Sequence, residues 1–204
     1  MADFAGTIIG VQPRIFLARS FDERSHSYLG YLLMIDGIID GIPKRFTLGV
    51  GPKTHEKFRF MKGQAINGAC QPAENPELEP AEYYKAIQLI ISANPMLVSQ
   101  GPPWHTLAPP LTVYRERGHR RLSVRTYEST CEGCVWGCQM AVEMIIDHWN
   151  PRVRKYRRET FCYGPLSCKW YKSGPARQVP GRNGMVYVEE DWVDEQSLGN
   201  REDD

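Results

Sequence analysis

Short apolar runs separated by polar turn residues dominate the first seventy positions of the chain. Residues 6–17 are rich in β-branched side chains and predict a strand that is kinked at Pro13. A second run over residues 28–35 predicts the return strand of a long hairpin. Two more strands are predicted over residues 45–50 and 57–70. Together these runs predict a curled β-sheet.

Two later segments carry apolar residues at three- and four-residue spacing, which is typical of helices. Pro80 opens the first segment, and a helix is predicted over residues 80–93. The second helix is predicted over residues 135–149. Between the two, residues 111–125 predict two short strands about a glycine turn. The chain is therefore expected to be mainly β with two helices, an α+β fold.

Strands, one helix and further strands, in that order, resemble the oligonucleotide- and oligosaccharide-binding (OB) fold. That fold is a five-stranded Greek-key β-barrel with a helix between its third and fourth strands. The resemblance covers roughly residues 6–125 and rests on element order alone. We predict an OB-like barrel over residues 1–127 and a cysteine metal module over residues 128–182. Residues 183–204 are expected to supply a closing strand and an acidic tail.

Charge is unevenly distributed along this 204-residue chain, although its formal net charge is only +1. Residues 111–182 hold 14 Lys and Arg against 6 Asp and Glu, whereas residues 183–204 hold 1 against 8. A basic segment followed by an acidic tail indicates an anionic partner, or a tail that competes with one. No apolar run approaches the roughly 20 residues that span a bilayer, and the N-terminus lacks a secretory signal. We therefore expect a cytoplasmic protein without a membrane partner.

Five of the six cysteines lie between positions 131 and 168, which favours metal ligation over disulfides in a reducing compartment. The first pair, Cys131 and Cys134, has C-x-x-C spacing, with a glycine where a metal knuckle needs the backbone to turn. The second pair, Cys162 and Cys168, flanks a Gly-Pro turn. Two pairs on two turns predict a tetrahedral zinc site whose ligands are Cys131, Cys134, Cys162 and Cys168.

Cys138 leaves an alternative open. It is either a small buried hydrophobic residue, or a ligand that joins Cys131, Cys134 and one of the later cysteines around a 4Fe-4S cluster. The spacing matches none of the ferredoxin patterns, which places zinc ahead of iron–sulfur. His148, on the second predicted helix, is a further alternative that would replace a cysteine at the metal.

Cations alternate with aromatic residues around these cysteines. This composition is typical of proteins that bind single-stranded nucleic acid, because cations neutralise phosphates and flat rings stack on bases. A second basic strip precedes the cysteines. The predicted nucleic-acid contacts are Arg154, Lys155, Tyr156, Arg157, Arg158, Trp170, Arg120 and Arg121.

The sequence contains no hydrolase nucleophile motif, P-loop or dinucleotide fingerprint, so it gives no indication of catalysis. The chain is predicted to be a non-enzymatic protein that binds single-stranded nucleic acid and contains a structural zinc ion. An iron–sulfur redox or radical enzyme is the first alternative. The second is a zinc-stabilised protein-interaction module in which Trp136 or Trp104 anchors a partner protein.

Overall fold

A computed structural model of the chain describes residues 1–20, 23–92, 99, 101–150 and 152–189, together with 193, 196 and 198. The described part is mainly β, which confirms the predicted fold class at that level. Its strands are β1 (Ala2–Arg19), β2 (Arg24–Ile39), β3 (Ile42–Val50), β4 (Ala65–Pro72), β5 (Tyr83–Ile91), β6 (Arg120–Arg121), β7 (Gly137–Ile145), β8 (Arg154–Cys162), β9 (Arg177–Pro180) and β10 (Val186–Glu189).

The described helices are short. They are α1 (Pro52–Phe58), α2 (Leu111–Arg117) and α3 (Val124–Thr126), and a π-helical turn, Tyr127–Cys131, follows α3 directly. Proline at the start of α1 removes an amide that would lack a partner there. No helix among the described residues is long and apolar enough to cross a membrane.

The first five strands pair into a continuous ring. β1 pairs antiparallel with both β2 and β4, β2 pairs with β3, and β4 pairs with β5. A parallel contact between Leu48 of β3 and Tyr83 of β5 completes the circuit. α1 lies between β3 and β4 in the chain. The predicted long hairpin is confirmed as β1 and β2, and we call β1–β5 the five-stranded ring.

β1 is longer than the ring requires, and its last residues extend the sheet. Residues 16–19 pair in parallel with residues 141–144 of β7. β7 in turn pairs antiparallel with β8, and β8 pairs with the two-residue β6. Buried side chains of the ring and of the β7–β8 pair belong to one apolar cluster, which includes Ile15, Leu33, Val142 and Phe161. The two halves of the chain therefore share a core.

The predicted helix over residues 80–93 is wrong, because residues 83–91 form β5 and Ala93 lies outside the described residues. Lys85 and Gln88 adopt left-handed backbone angles, with φ of 51° and 52°. Each such residue interrupts the strand's two-residue alternation. The positions of β5 that pack against the core are consequently separated by three, three and two residues, and the first two intervals imitate a helix; they are Tyr83, Ala86, Leu89 and Ile91.

The predicted helix over residues 135–149 is also wrong, because its centre is β7. Both faces of β7 are buried, so the strand lacks the alternation of a half-exposed strand. Cys138, Met140 and Val142 face the shared core. A short apolar strand covered on both sides cannot be distinguished from a buried helix by periodicity.

Three further sequence predictions need correction. Residues 111–125 form mainly α2, which ends at Gly118, and only β6 remains of the two predicted strands. The strand predicted over residues 57–70 begins as the end of α1 and becomes a strand only at β4. The predicted closing strand is β10, which pairs with β9 in a separate two-stranded sheet. Most of the predicted acidic tail, from residue 190 onward, lies outside the described residues.

The left-handed residues of β5 predict the sign of a stability change. Gln88→Gly should raise the free energy of unfolding by about 1 kcal/mol, because glycine adopts a left-handed conformation without the steric cost of a Cβ atom. In a helix the same substitution would lower it by about 1 kcal/mol. Ile90→Gly, at an exposed strand position of β5, is the matched control and should destabilise the chain. Urea unfolding of the three proteins measures both effects, and a less stable Gln88→Gly chain would rule out this description of β5.

Candidate metal centre and cationic surface

Four of the cysteines converge on one small cavity. Cys131 ends the π-helical turn, Cys134 lies just before β7, Cys162 is the last residue of β8, and Cys168 lies in the turn beyond it. All four line a cavity of about 10 Å³, the space of a single water molecule. Its wall is completed mainly by prolines and aromatic residues, among them Pro103, Trp104, Trp136, Trp170 and Tyr171. The structure thus brings the four predicted ligands together.

Backbone amides are directed at two of these sulfur atoms. The amide of Gly164 donates to Sγ of Cys162 at 3.4 Å. Burial raises the pKa of Cys134 to about 11, although backbone hydrogen bonds from Trp136, Trp104 and Gly137 act in the opposite direction. Burial and the three neighbouring cysteines raise the pKa of Cys131 to about 12. Burial also raises the pKa of Cys162, so these three thiols lie in a site where a cation or amide donors would be needed to stabilise thiolates.

The four cysteines are free thiols. Within the part of the chain that the structure describes, no three or more Cys, His, Asp or Glu side chains already stand in a geometry that would hold a metal ion. The sulfur atoms share the cavity wall without forming a finished coordination shell. An ion in this cavity would therefore have to draw the two turns inward.

Gln12 of β1 links the five-stranded ring to the turn that carries Cys131 and Cys134, which we call the first cysteine turn. Its side chain is completely buried, and its amide nitrogen donates to the carbonyl oxygens of Cys131 and Glu132 at 2.9 Å and of Cys134 at 3.1 Å. The amide oxygen accepts a hydrogen bond of 2.8 Å from the hydroxyl of Tyr127. The two hydrogens of this amide are shared among three carbonyl groups of the turn that carries two of the cysteines; two of these carbonyls, those of Cys131 and Cys134, also accept from backbone amides.

The other two candidate ligands lie elsewhere. Cys138 is completely buried in the shared core, and its thiol donates to the carbonyl of Pro13 at 3.5 Å. Burial raises the pKa of this thiol strongly. His148 is exposed and lines a different cavity, beside the turn between β1 and β2. Neither residue lines the cysteine cavity.

Three of the predicted nucleic-acid contacts form a row on β8. Arg154, Tyr156 and Arg158 occupy alternate positions and so project from the same side of the strand, about 7 Å apart. Tyr156 is 37% exposed, and its hydroxyl donates to Glu143 on β7 at 3.3 Å. Arg154 contacts the same carboxylate at 2.5 Å, while Arg158 donates to the carbonyl of Glu79 at 2.7 Å. We call these three residues the β8 row.

Lys155 and Arg157 project from the opposite side of β8. Lys155 is exposed. Arg157 is largely engaged inside the protein, since it forms an ion pair with the buried Glu159 and donates to the carbonyl of Gln178 at 2.6 Å. Its guanidinium group therefore connects β8 to β9.

Arg120 and Arg121 are placed in the interior and not on a basic surface strip. Arg121 is 1% exposed and donates to the carbonyl of Glu189 at 3.1 Å. Arg120 stacks on the ring of Tyr171 at 3.5 Å and donates to the carbonyl of Pro165 at 2.7 Å, which braces the second cysteine turn. Trp170 remains 45% exposed at the edge of the cysteine cavity.

Sequence reasoning missed Gln12 and the buried acids Glu159 and Glu189. Gln12 could have been recognised because it is a single amide side chain within an apolar strand. A buried amide needs hydrogen-bond partners, so its position predicts contacts with another part of the chain. Nothing in the local pattern of Glu159, which lies among basic and apolar residues, distinguishes it from a surface acid.

The Gln12 contacts predict a large effect from a substitution that nearly preserves shape. Gln12→Met should lower the free energy of unfolding by about 2 kcal/mol, because the carbonyl of Glu132 and the hydroxyl of Tyr127 would lose the partner that the side chain of Gln12 gives them, while the carbonyls of Cys131 and Cys134 keep only their backbone donors. Gln178→Met, at an exposed position of β9, is the control and should change stability little. Urea unfolding compares the two, and equal stabilities would contradict the role assigned to Gln12.

No protein-family model matches this chain, and no curated protein or solved structure is significantly similar to it. The site must therefore be interpreted from its own geometry.

Proposed function

We propose that this chain is a non-enzymatic protein that binds single-stranded nucleic acid along the β8 row and contains a structural zinc ion in its cysteine cavity. The observation that carries the proposal is the arrangement of the β8 row, in which a partly exposed ring stands between two exposed guanidinium groups. Each of these groups also has an acceptor within the protein, Glu143 for Arg154 and two backbone carbonyls for Arg158, so a phosphate would share or replace those contacts. A flat ring stacks on a base, and flanking cations pair with the phosphates on either side.

We further propose that the five-stranded ring is of OB type. Strand pairing in the order β1, β2, β3, β5, β4 and back to β1 supports this assignment, as does the position of α1 between the third and fourth strands. OB folds bind their ligands mainly on the face of strands 2 and 3 and on the loops beside it. That face is therefore the first place to look for a ligand.

In this chain the middle of β2 is covered on both of its faces, since residues 30–35 are all buried. The neighbouring β1 is covered as well: a Cβ atom added at Gly10 would lie 3.0 Å from the Cα atom of Gly133, so the first cysteine turn packs directly on β1. The proposed ligand surface is therefore not the ring itself but the neighbouring β8, which extends the same sheet through β7.

The placement of Cys138 favours zinc over a cluster. The predicted cluster needs Cys138 as a ligand, but this thiol is buried outside the cavity against the carbonyl of Pro13, whereas the four predicted zinc ligands all line the cavity. Four thiolates in a tetrahedron are the usual closed shell of structural zinc. Bound zinc would fasten the turn held by Gln12 to the turn that follows β8.

The zinc proposal predicts which cysteines retain the metal. Elemental analysis of the purified chain should find about one zinc ion per molecule, and Cys131→Ser and Cys162→Ser should each reduce that content severely. Cys70→Ala and Cys138→Ala are matched controls, because both thiols are buried outside the cavity and should keep the zinc. Iron with acid-labile sulfide, or loss of metal from Cys138→Ala, would overturn this assignment.

The β8 row predicts distinct effects for its ring and its cations. Tyr156→Ala should weaken binding of a labelled single strand about tenfold while leaving the salt dependence unchanged, because stacking releases no counterions. Arg158→Gln should reduce the slope of log affinity against log salt by about one.

Arg45→Gln provides the control for these measurements, since Arg45 is 70% exposed on β3, in the ring. Fluorescence anisotropy across a salt series measures all four proteins. Equal losses from Arg45→Gln and Tyr156→Ala, or no binding of single strands by the unmodified chain, would refute the proposed function.

A further inference from the structure

The face of the sheet that carries the β8 row continues across three more strands. Tyr156 of β8 is paired with Glu143 of β7, and Glu143 is paired with Ala18 of β1. Ala18 is paired in turn with Ser25 of β2. Directly paired residues project from the same face, so these four side chains form one line across the sheet. Neighbouring strands lie about 4.8 Å apart, which places Ala18 about 10 Å from Tyr156.

A cavity of about 470 Å³ opens on this line, and we call it the side cavity. Ala18 and Ile145 contribute apolar groups to its lining, and Ser25 contributes a hydroxyl group. Ile145 is itself paired with Arg154, so the side cavity lies next to the first residue of the β8 row. Its volume is within the range of small-molecule sites and accommodates a nucleobase with its sugar.

Among the described residues that line the side cavity, Glu23 is the one acid. Its backbone is held by Ser20, whose hydroxyl accepts from the amide of Glu23 at 3.2 Å and whose amide donates to the carbonyl of Glu23 at 2.9 Å. The side chain of Glu23 is exposed, and its carboxylate makes no ion pair or hydrogen bond with the described residues. A carboxylate accepts hydrogen bonds and donates none, so it suits a ligand that presents N–H groups.

The two arginines that also border the side cavity are engaged elsewhere. Arg19 and Arg24 each lie one position away from the line across the sheet, and they therefore project from its other face. There Arg19 contacts Glu159 at 3.2 Å and Glu189 at 2.7 Å. Arg24 contacts Glu189 at 2.7 Å. The unpaired carboxylate of Glu23 therefore determines which ligand the side cavity suits.

A strand bound along the β8 row can place one base in the side cavity. Its phosphates would pair with Arg154 and Arg158 while one base stacks on Tyr156. The next base, on the side of Arg154, can turn across β7 towards Ala18, and about 10 Å is within the reach of a purine from its own phosphate. Glu143 lies on that path, but its carboxylate is already paired with Arg154 at 2.5 Å.

We propose that the side cavity binds one base of the single strand and selects guanine through the carboxylate of Glu23. Guanine presents two neighbouring donors on its Watson–Crick edge, N1–H and N2–H, and the two oxygens of a carboxylate can accept from both. Adenine and cytosine present one amino group there. Thymine and uracil present a single N–H between two carbonyl oxygens, which a carboxylate repels. The delivery of the base by a strand rests on the proposed function, whereas the match between the cavity and guanine does not.

The test is fluorescence anisotropy with a short labelled oligothymidine whose central base is thymine, guanine or hypoxanthine, which is guanine without its amino group. The guanine strand should bind about tenfold more tightly than the other two, because each of those loses a charge-assisted hydrogen bond. Glu23→Gln should remove this preference without weakening the binding of the thymine strand, since an amide has only one accepting oxygen. Glu56→Gln changes an exposed acid of α1 outside the cavity, so it is the matched control and should keep the preference.

Titration calorimetry with guanosine and inosine monophosphates tests the side cavity without a strand. Tighter binding of guanosine monophosphate, by a margin that Glu23→Gln removes, would support the cavity even if no single strand binds, and that second result would refute the proposed function alone. Strand binding without a preference for guanine, or with a preference that Glu23→Gln leaves intact, would overturn the guanine site and leave the proposed function standing. Absence of both kinds of binding would overturn both.

Discussion

The buried amide of Gln12 is the contact on which the arrangement of the molecule depends. It projects from β1, the strand shared by the ring and the β7–β8 pair, and it donates to three carbonyl groups of the turn that carries Cys131 and Cys134. Without this side chain the carbonyl of Glu132 and the hydroxyl of Tyr127 would lose the partner that it gives them, which would destabilise the turn. Gln12 thereby fixes the position of two thiols relative to the ring, and β8 fixes the position of the other pair through Cys162.

This contact also determines where a ligand can bind. Because the first cysteine turn packs against β1 at Gly10, the outer side of the ring is partly occupied by the protein itself. Two partly exposed rings of the C-terminal half, Tyr156 and Trp170, lie instead on β8 and at the edge of the cysteine cavity. The proposed ligand surface therefore follows from the way the two halves are joined.

Sequence patterns predicted β1, β2 and β3, because each contains an apolar run bounded by polar turn residues. They failed where the two-residue alternation of a strand is lost, at the left-handed Lys85 and Gln88 of β5 and in β7, which is covered on both faces. The convergence of the four cysteines was predictable from their spacing and turn residues. Their attachment through Gln12, and the burial of Arg120 and Arg121, depend on contacts between distant parts of the chain that no local pattern encodes.

The central claim is that four thiolates close around one zinc ion. X-ray absorption at the zinc edge of the purified protein tests it most directly, because the spectrum reports the type, number and distance of the ligands. The account predicts a single shell of four sulfur atoms at about 2.3 Å. A shell containing nitrogen or oxygen ligands, or a sample whose metal is iron in a cluster, would contradict it.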